Sequence, residues 1–147
     1  MIKPFEFYIK SNLVKKTEGN ISLARSLLKK AEIRLSRISK NHFKDEESSI
    51  IFEEIYELIR EATQSIMELN SYKPYSHEAL VSFVKFKKIL NENESNIFDN
   101  YRVLRNNSVY NAEKVSLEKC RESLEFAKNV LPKIKKNFDE TVFGLKK

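Results

Sequence analysis

The stretch Tyr101-Arg-Val-Leu-Arg-Asn-Asn-Ser-Val-Tyr110 holds the residues best suited to chemistry on an anion. Arg105 offers a planar fork of donors that matches a phosphate, and Asn106 beside it adds an amide that both donates and accepts. Tyr110 follows after four intervening residues, and Arg102 lies three residues before Arg105. A phenol titrates near pH 10 in its ordinary state, so Tyr110 is a poor general base at neutral pH but a competent hydrogen-bond donor. On an unbroken helix Arg105 and Tyr110 would project about 140° apart. Their convergence on one phosphate therefore requires a bend, for which the Asn106–Asn107 pair is the candidate.

Other site classes lack the residues they need. The two histidines, His42 and His77, and the single cysteine, Cys120, give no zinc-ligand spacing. Two glycines leave no phosphate-cradling loop and no dinucleotide fingerprint. No metal or cofactor is expected. The carboxylate pairs Glu53–Glu54 and Glu57–Glu61 lie in a heavily charged segment, where a solvated or ion-paired face is the ordinary reading. Arg60 and Glu61 are expected in an interhelical ion-pair network. His77 follows a capping serine, so it either hydrogen-bonds locally or joins the ligand cleft. Tyr72 and Tyr75 flank Lys73-Pro74 and have the ring faces to stack on bases, although loop packing is the commoner use. Cys120 falls on a core seam, which disfavours a redox or nucleophilic role.

The elements that must position these residues are helical. From Asn20 to Lys40 apolar side chains recur at Ala24, Leu27, Leu28, Ala31, Leu35 and Ile38, the three-and-four spacing of an amphipathic helix. Phe5 to Val14 predicts a shorter helical piece before it, set off by Gly19. Asp45 is a candidate cap for a helix carrying Ile51, Ile55, Leu58, Ile59, Ala62, Ile66 and Leu69 to about Asn70. SYKPYS then reads as a loop, with Ser76 capping a helix through HEALVSFVKFKKIL, and NENES as a polar break. Ile97, Phe98, Tyr101 and Leu104 mark the next helix. Ser116 can cap a last one, seamed by Leu117, Cys120, Leu124, Ala127, Leu131, Ile134 and Phe138, in which Pro132 predicts a kink or an early stop.

The 147 residues show no repeat, low-complexity tract or internal linker, which predicts one domain over 1–147, an all-α antiparallel bundle of four or five main helices. The first residues are interrupted by Lys3, Glu6 and Lys10 and lack a signal-peptide core; no apolar run approaches the roughly 18 residues of a membrane span. A soluble, cytoplasmic protein is expected, the lone cysteine agreeing with a reducing compartment. The net charge is +6, but it is unevenly placed: residues 1–44 carry 11 basic and 3 acidic side chains, residues 45–70 carry 1 and 8. Complementary charge between packed helices is the first explanation, a phosphate-binding face the second.

The blocks IYELIREATQSIMELN, YKPYSHEAL and RVLRNNSVYNAEKVSLEKC…LEFAKNVL, taken in order, resemble the prokaryotic HEPN domain over roughly two-thirds of the chain. That family's signature is an Arg, often followed by a polar residue such as Asn, with a His four to six residues later. Arg105 and Asn106 match its start; Tyr110 stands where the His belongs. The resemblance implies a homodimer whose clefts bind RNA or a nucleotide through Arg105, Asn106, Tyr110, His77 and Arg102, within a toxin–antitoxin system or beside a nucleotidyltransferase partner protein. It also implies two alternatives: a metal-independent endoribonuclease with Arg105 and Tyr110 as catalytic residues, or a structural or regulatory protein-interaction module.

Overall fold

The computed structural model of the chain describes residues 2–40 and 42–145, which form an all-α bundle with one small two-stranded ribbon. The helices are α1 (Phe5–Lys10), α2 (Ile21–Ser39), α3 (Ser48–Leu69), α4 (His77–Phe86), α5 (Glu92–Asn111) and α6 (Leu117–Leu145); the strands are β1 (Val14–Lys16) and β2 (Tyr72–Pro74). Four of the six helices run 19 to 29 residues and carry most of the bundle.

α3 is the central element because its apolar residues exceed one stripe. Phe52, Ile55, Tyr56, Leu58, Ile59, Ala62, Ile66 and Met67 are all buried, and neighbours cover them on several sides: α2, α6, α5, α4 and β2. The pairings give directions. Gly19 at the start of α2 lies against the Glu68 carbonyl while Arg34 meets Glu61, so α2 and α3 run antiparallel. Glu53 meets Ser108 and Tyr56 meets Phe98, so α3 and α5 do the same, as do α5 and α6 through Tyr101–Glu122 and Glu94–Lys133. Gly19 is needed where it is. Its φ of +75° and a Cβ position 3.0 Å from the Glu68 carbonyl oxygen exclude a larger residue without strain.

Helix starts follow local chemistry. The Asn20 side chain accepts the Leu23 N–H at 2.9 Å, and the Ser116 hydroxyl accepts that of Lys119 at 3.0 Å. At Asn91 and Glu94 a reciprocal capping box opens α5 inside the segment expected to be a polar break. Asp45, the expected cap of α3, instead begins a 3₁₀ turn, Asp45–Glu47, and its carboxylate pairs with Lys114.

Several boundaries differ from those the sequence predicts. The N-terminal helix stops at Lys10, because Asn12 turns the chain with φ +59° and Val14 then pairs with β2. SYKPYS is accordingly part strand. Pro74 sits opposite Val14 at the end of a ribbon that leaves it no further ladder bond to donate. α4 ends at Phe86; the Ile89 and Leu90 amides fold back onto the Val84 carbonyl through the left-handed Lys88, which buries Leu90. α6 passes through Pro132 without an early stop. Pro132 and Lys128 are exposed, so the Lys128 carbonyl that loses its helical donor can bond water. Among the described residues no helix is long and apolar enough to cross a membrane.

Candidate functional site

Tyr56, buried on α3, is the floor against which the site is assembled. Its hydroxyl lies 2.9 Å from Nδ1 of His77, the first residue of α4, and the two rings stack at 5.8 Å between centroids, 11° from parallel. From α5 the Arg105 guanidinium reaches over the Tyr56 ring at 5.8 Å and lies 6.0 Å from the Tyr110 ring, so one cation is held between two phenols. Arg105 Nη1 donates to Asn106 Oδ1 at 3.1 Å. Arg102, one turn earlier, donates from Nε to Asp99 at 2.7 Å and faces Glu78 at 3.7 Å, whose other oxygen accepts the Tyr8 hydroxyl at 3.2 Å.

These residues enclose a cleft of about 290 Å³ lined by Ser76, His77, Glu78, Arg102, Arg105, Asn106 and Tyr110. The five residues that the family resemblance assigns to a ligand cleft, Arg105, Asn106, Tyr110, His77 and Arg102, border one space. The bend expected at Asn106–Asn107 is absent: α5 continues to Asn111, where the Asn107 carbonyl accepts the amides of Ala112 and Glu113. Convergence comes instead from side-chain length. Arg105 extends far enough around the helix to approach the Tyr110 ring, which stands at the open edge of the cleft and is 74% exposed.

The two arginines are not equivalent. Arg102 has two carboxylate neighbours; among the described residues Arg105 has none within ion-pair distance, only an amide and two ring faces. A half-buried cation so placed retains its capacity for an anion. His77 responds to this field. Burial first, then the charges of Arg105, Arg60 and Arg102, pull its pKa below the ordinary imidazole value, against an opposing push from Glu57. The ring is neutral at pH 7, and with Nδ1 engaged by Tyr56 its Nε2 has no protein partner among the described residues. Burial drives the Tyr56 hydroxyl pKa strongly upward despite the nearby arginines, so it stays protonated.

Tyr56, Ser76, Glu78 and Asp99 escape the sequence reading. Tyr56 is one of many apolar-face residues of α3, and only the packing of α4 and α5 shows that its hydroxyl meets a histidine. Arg60 does not form the expected interhelical network: it bonds Glu57 and Gln64 on its own helix, and its hydrogen bond holds the Glu57 carboxyl below the usual range. Glu61 does span helices, buried against Arg34 at 2.6 Å and Lys30 at 3.4 Å. Tyr72 packs edge-on to Phe5, whereas Tyr75 is exposed. Cys120 is fully buried and its thiol is pushed up to about 11, which removes it as a nucleophile. His42 is exposed and outside the cleft. Among the described residues no cluster suited to a metal ion occurs.

No family model, curated protein or solved structure matches this chain.

Proposed function

We propose that this chain is a HEPN-type binding module that takes a phosphate-bearing ligand, RNA or a nucleotide, in the cleft around Arg105. The observation that carries this reading is the Arg105 guanidinium, held at a cleft between two tyrosine rings with no carboxylate within ion-pair distance among the described residues. A phosphate would accept its fork of donors, and the exposed Tyr110 ring is available to a base. A homodimer is part of the proposal: Val103 is exposed on α5 one turn before the cleft residue Asn106, so a two-fold contact at Val103 lies beside the cleft and leaves the Tyr110 ring open to a base. Cytoplasmic residence, a toxin–antitoxin context and a nucleotidyltransferase partner protein are proposed from the sequence alone; a stoichiometric partner on purification from the native cell supports the last.

Charge-assisted hydrogen bonds contribute about 1.5–3 kcal/mol. Arg105→Ala is therefore expected to weaken binding of RNA or nucleoside triphosphate roughly 10- to 150-fold by calorimetry, with Arg105→Lys intermediate because it keeps charge and loses the fork. Unchanged affinity in Arg105→Ala removes the site.

His77 favours a second reading, a metal-independent endoribonuclease. The signature lacks its histidine at Tyr110, but α4 supplies a neutral imidazole to the same cleft. In this reading Arg105 clamps the scissile phosphate while His77, or the Tyr110 hydroxyl, handles the proton. RNA cleavage in EDTA by wild type, lost in Arg105→Ala and reduced at least 100-fold in His77→Gln, supports it. Cleavage only by Tyr110→His points to a binding cleft from which the chemistry is missing, and no cleavage by any variant rejects the enzyme.

A further inference from the structure

Beside the cleft, the β-ribbon contains a pairing that stability alone would disfavour. Lys15 of β1 and Lys73 of β2 are directly opposite in the antiparallel register, so two like charges share one face. Both converge on one ring: their Nζ atoms lie 5.3 and 5.5 Å from the centroid of Tyr75. Among the described residues neither lysine has a carboxylate partner within ion-pair distance, so nothing of opposite sign offsets their repulsion. The Tyr75 ring is 53% exposed, and its backbone is fixed by an N–H donated to the Leu13 carbonyl at 2.8 Å. Tyr72, three residues earlier, is spent on packing against Phe5 and Phe83.

Along the chain this cluster leads straight into the Arg105 cleft. Ser76 and His77, the next two residues, line that cleft, and Ser76 is extended at φ −143° and ψ 135°. Tyr75 and His77 are thus separated by about 7 Å of backbone, the reach of two extended residues. We propose that Lys15, Lys73 and Tyr75 form a second subsite that takes an adjoining nucleotide of single-stranded RNA, its base on the Tyr75 ring and its phosphate between the two lysines. The proposal rests on the reading of the Arg105 cleft as a phosphate site and names its ligand as a polynucleotide. An anion draws the two ammonium groups off the Tyr75 ring, which relieves their mutual repulsion and frees the ring face for a base, and a ring beside cations holds single strands without reading sequence.

The test uses fluorescence anisotropy with a labelled oligoadenylate of about ten nucleotides, and AMP as a one-nucleotide ligand. Tyr75→Ala is expected to weaken the oligonucleotide at least about fivefold, Tyr75→Phe to restore it, and both to bind AMP as wild type does. Lys15→Gln combined with Lys73→Gln should flatten the slope of log affinity against log salt by about 0.7, the value for one phosphate contact on a single strand. Wild-type oligonucleotide affinity in Tyr75→Ala, alongside its loss in Arg105→Ala, overturns the second subsite and leaves the cleft reading standing. Loss in Tyr75→Ala with none in Arg105→Ala overturns the cleft and the continuity proposed here. Absence of any RNA binding, including the case where only acidic protein binds, overturns both.

Discussion

His77 shows how one side chain reports the balance of the site. Three arginines and partial burial press its proton off, and Glu57 alone among the named neighbours presses it on. Its folded-state pKa is thus below the unfolded value of about 6.5, so the unfolded chain binds the proton first as pH falls. The stability associated with the neutral ring is present above that value and is lost as pH falls toward the folded pKa. Urea unfolding from pH 8 to 5 should therefore show stability declining below about pH 6.5, with a shallower decline in His77→Gln. Equal slopes in the two proteins would mean that His77 is as readily protonated in the folded state as in the unfolded one. Arg105→Gln provides the complementary variant, since removing the nearest cause after burial should bring the decline closer to that of His77→Gln.

Among elements, long periodic helices were legible and short or strained ones were not. The apolar stripes of α2, α3 and α6 run for five or more turns, and their packing follows from the pattern. The three-residue strands have too few positions to show a period of two, and their pairing joins segments 58 residues apart at the central Lys15–Lys73 pair. Lys88 and Ala112 adopt left-handed conformations that neither residue type announces. The Asn91-x-x-Glu94 box was readable from sequence, and it alone would have moved the start of α5 into the polar break. Asn106 and Asn107 are weak helix formers, yet α5 holds them because Ser108 donates to Glu53 of α3 at 2.7 Å and Tyr101 is locked between Phe52 and Phe126. The same straightness explains why the cleft residues were identifiable and their geometry was not: residue types gave Arg105, Asn106 and Tyr110, whereas the approach of Arg105 to Tyr110 depends on a rotamer over the Tyr56 ring.

For the whole molecule, charge is partly internal and partly presented. Glu61 with Arg34 and Lys30, Lys114 with Asp45, Lys133 with Glu94 and Lys135 with Glu32 join different elements, as complementary packing requires. Two surfaces present cations: Arg25, Lys29, Lys30, Arg34 and Arg37 line an open groove on α2, and Lys15 and Lys73 crown the ribbon. A protein of net charge +6 repels its own copies at long range, so the proposed homodimer has to form where apolar surface outweighs that repulsion. Exposed Val103 on α5 supplies part of that surface, and a two-fold contact there would set two Arg105 clefts side by side. A stable dimer buries about 1,200–2,000 Å² in total, more than one side chain supplies, so the contact must extend beyond Val103 onto the neighbouring surface. Sedimentation equilibrium should then give twice the 17.3 kDa chain mass, and Val103→Glu should halve it while leaving the helical signal intact, because Val103 is 45% exposed and contributes little to the fold. Added salt should strengthen association of the wild type by screening the +6 charge. A chain that sediments at 17.3 kDa at high protein and salt concentration would place the complete site within a single protomer.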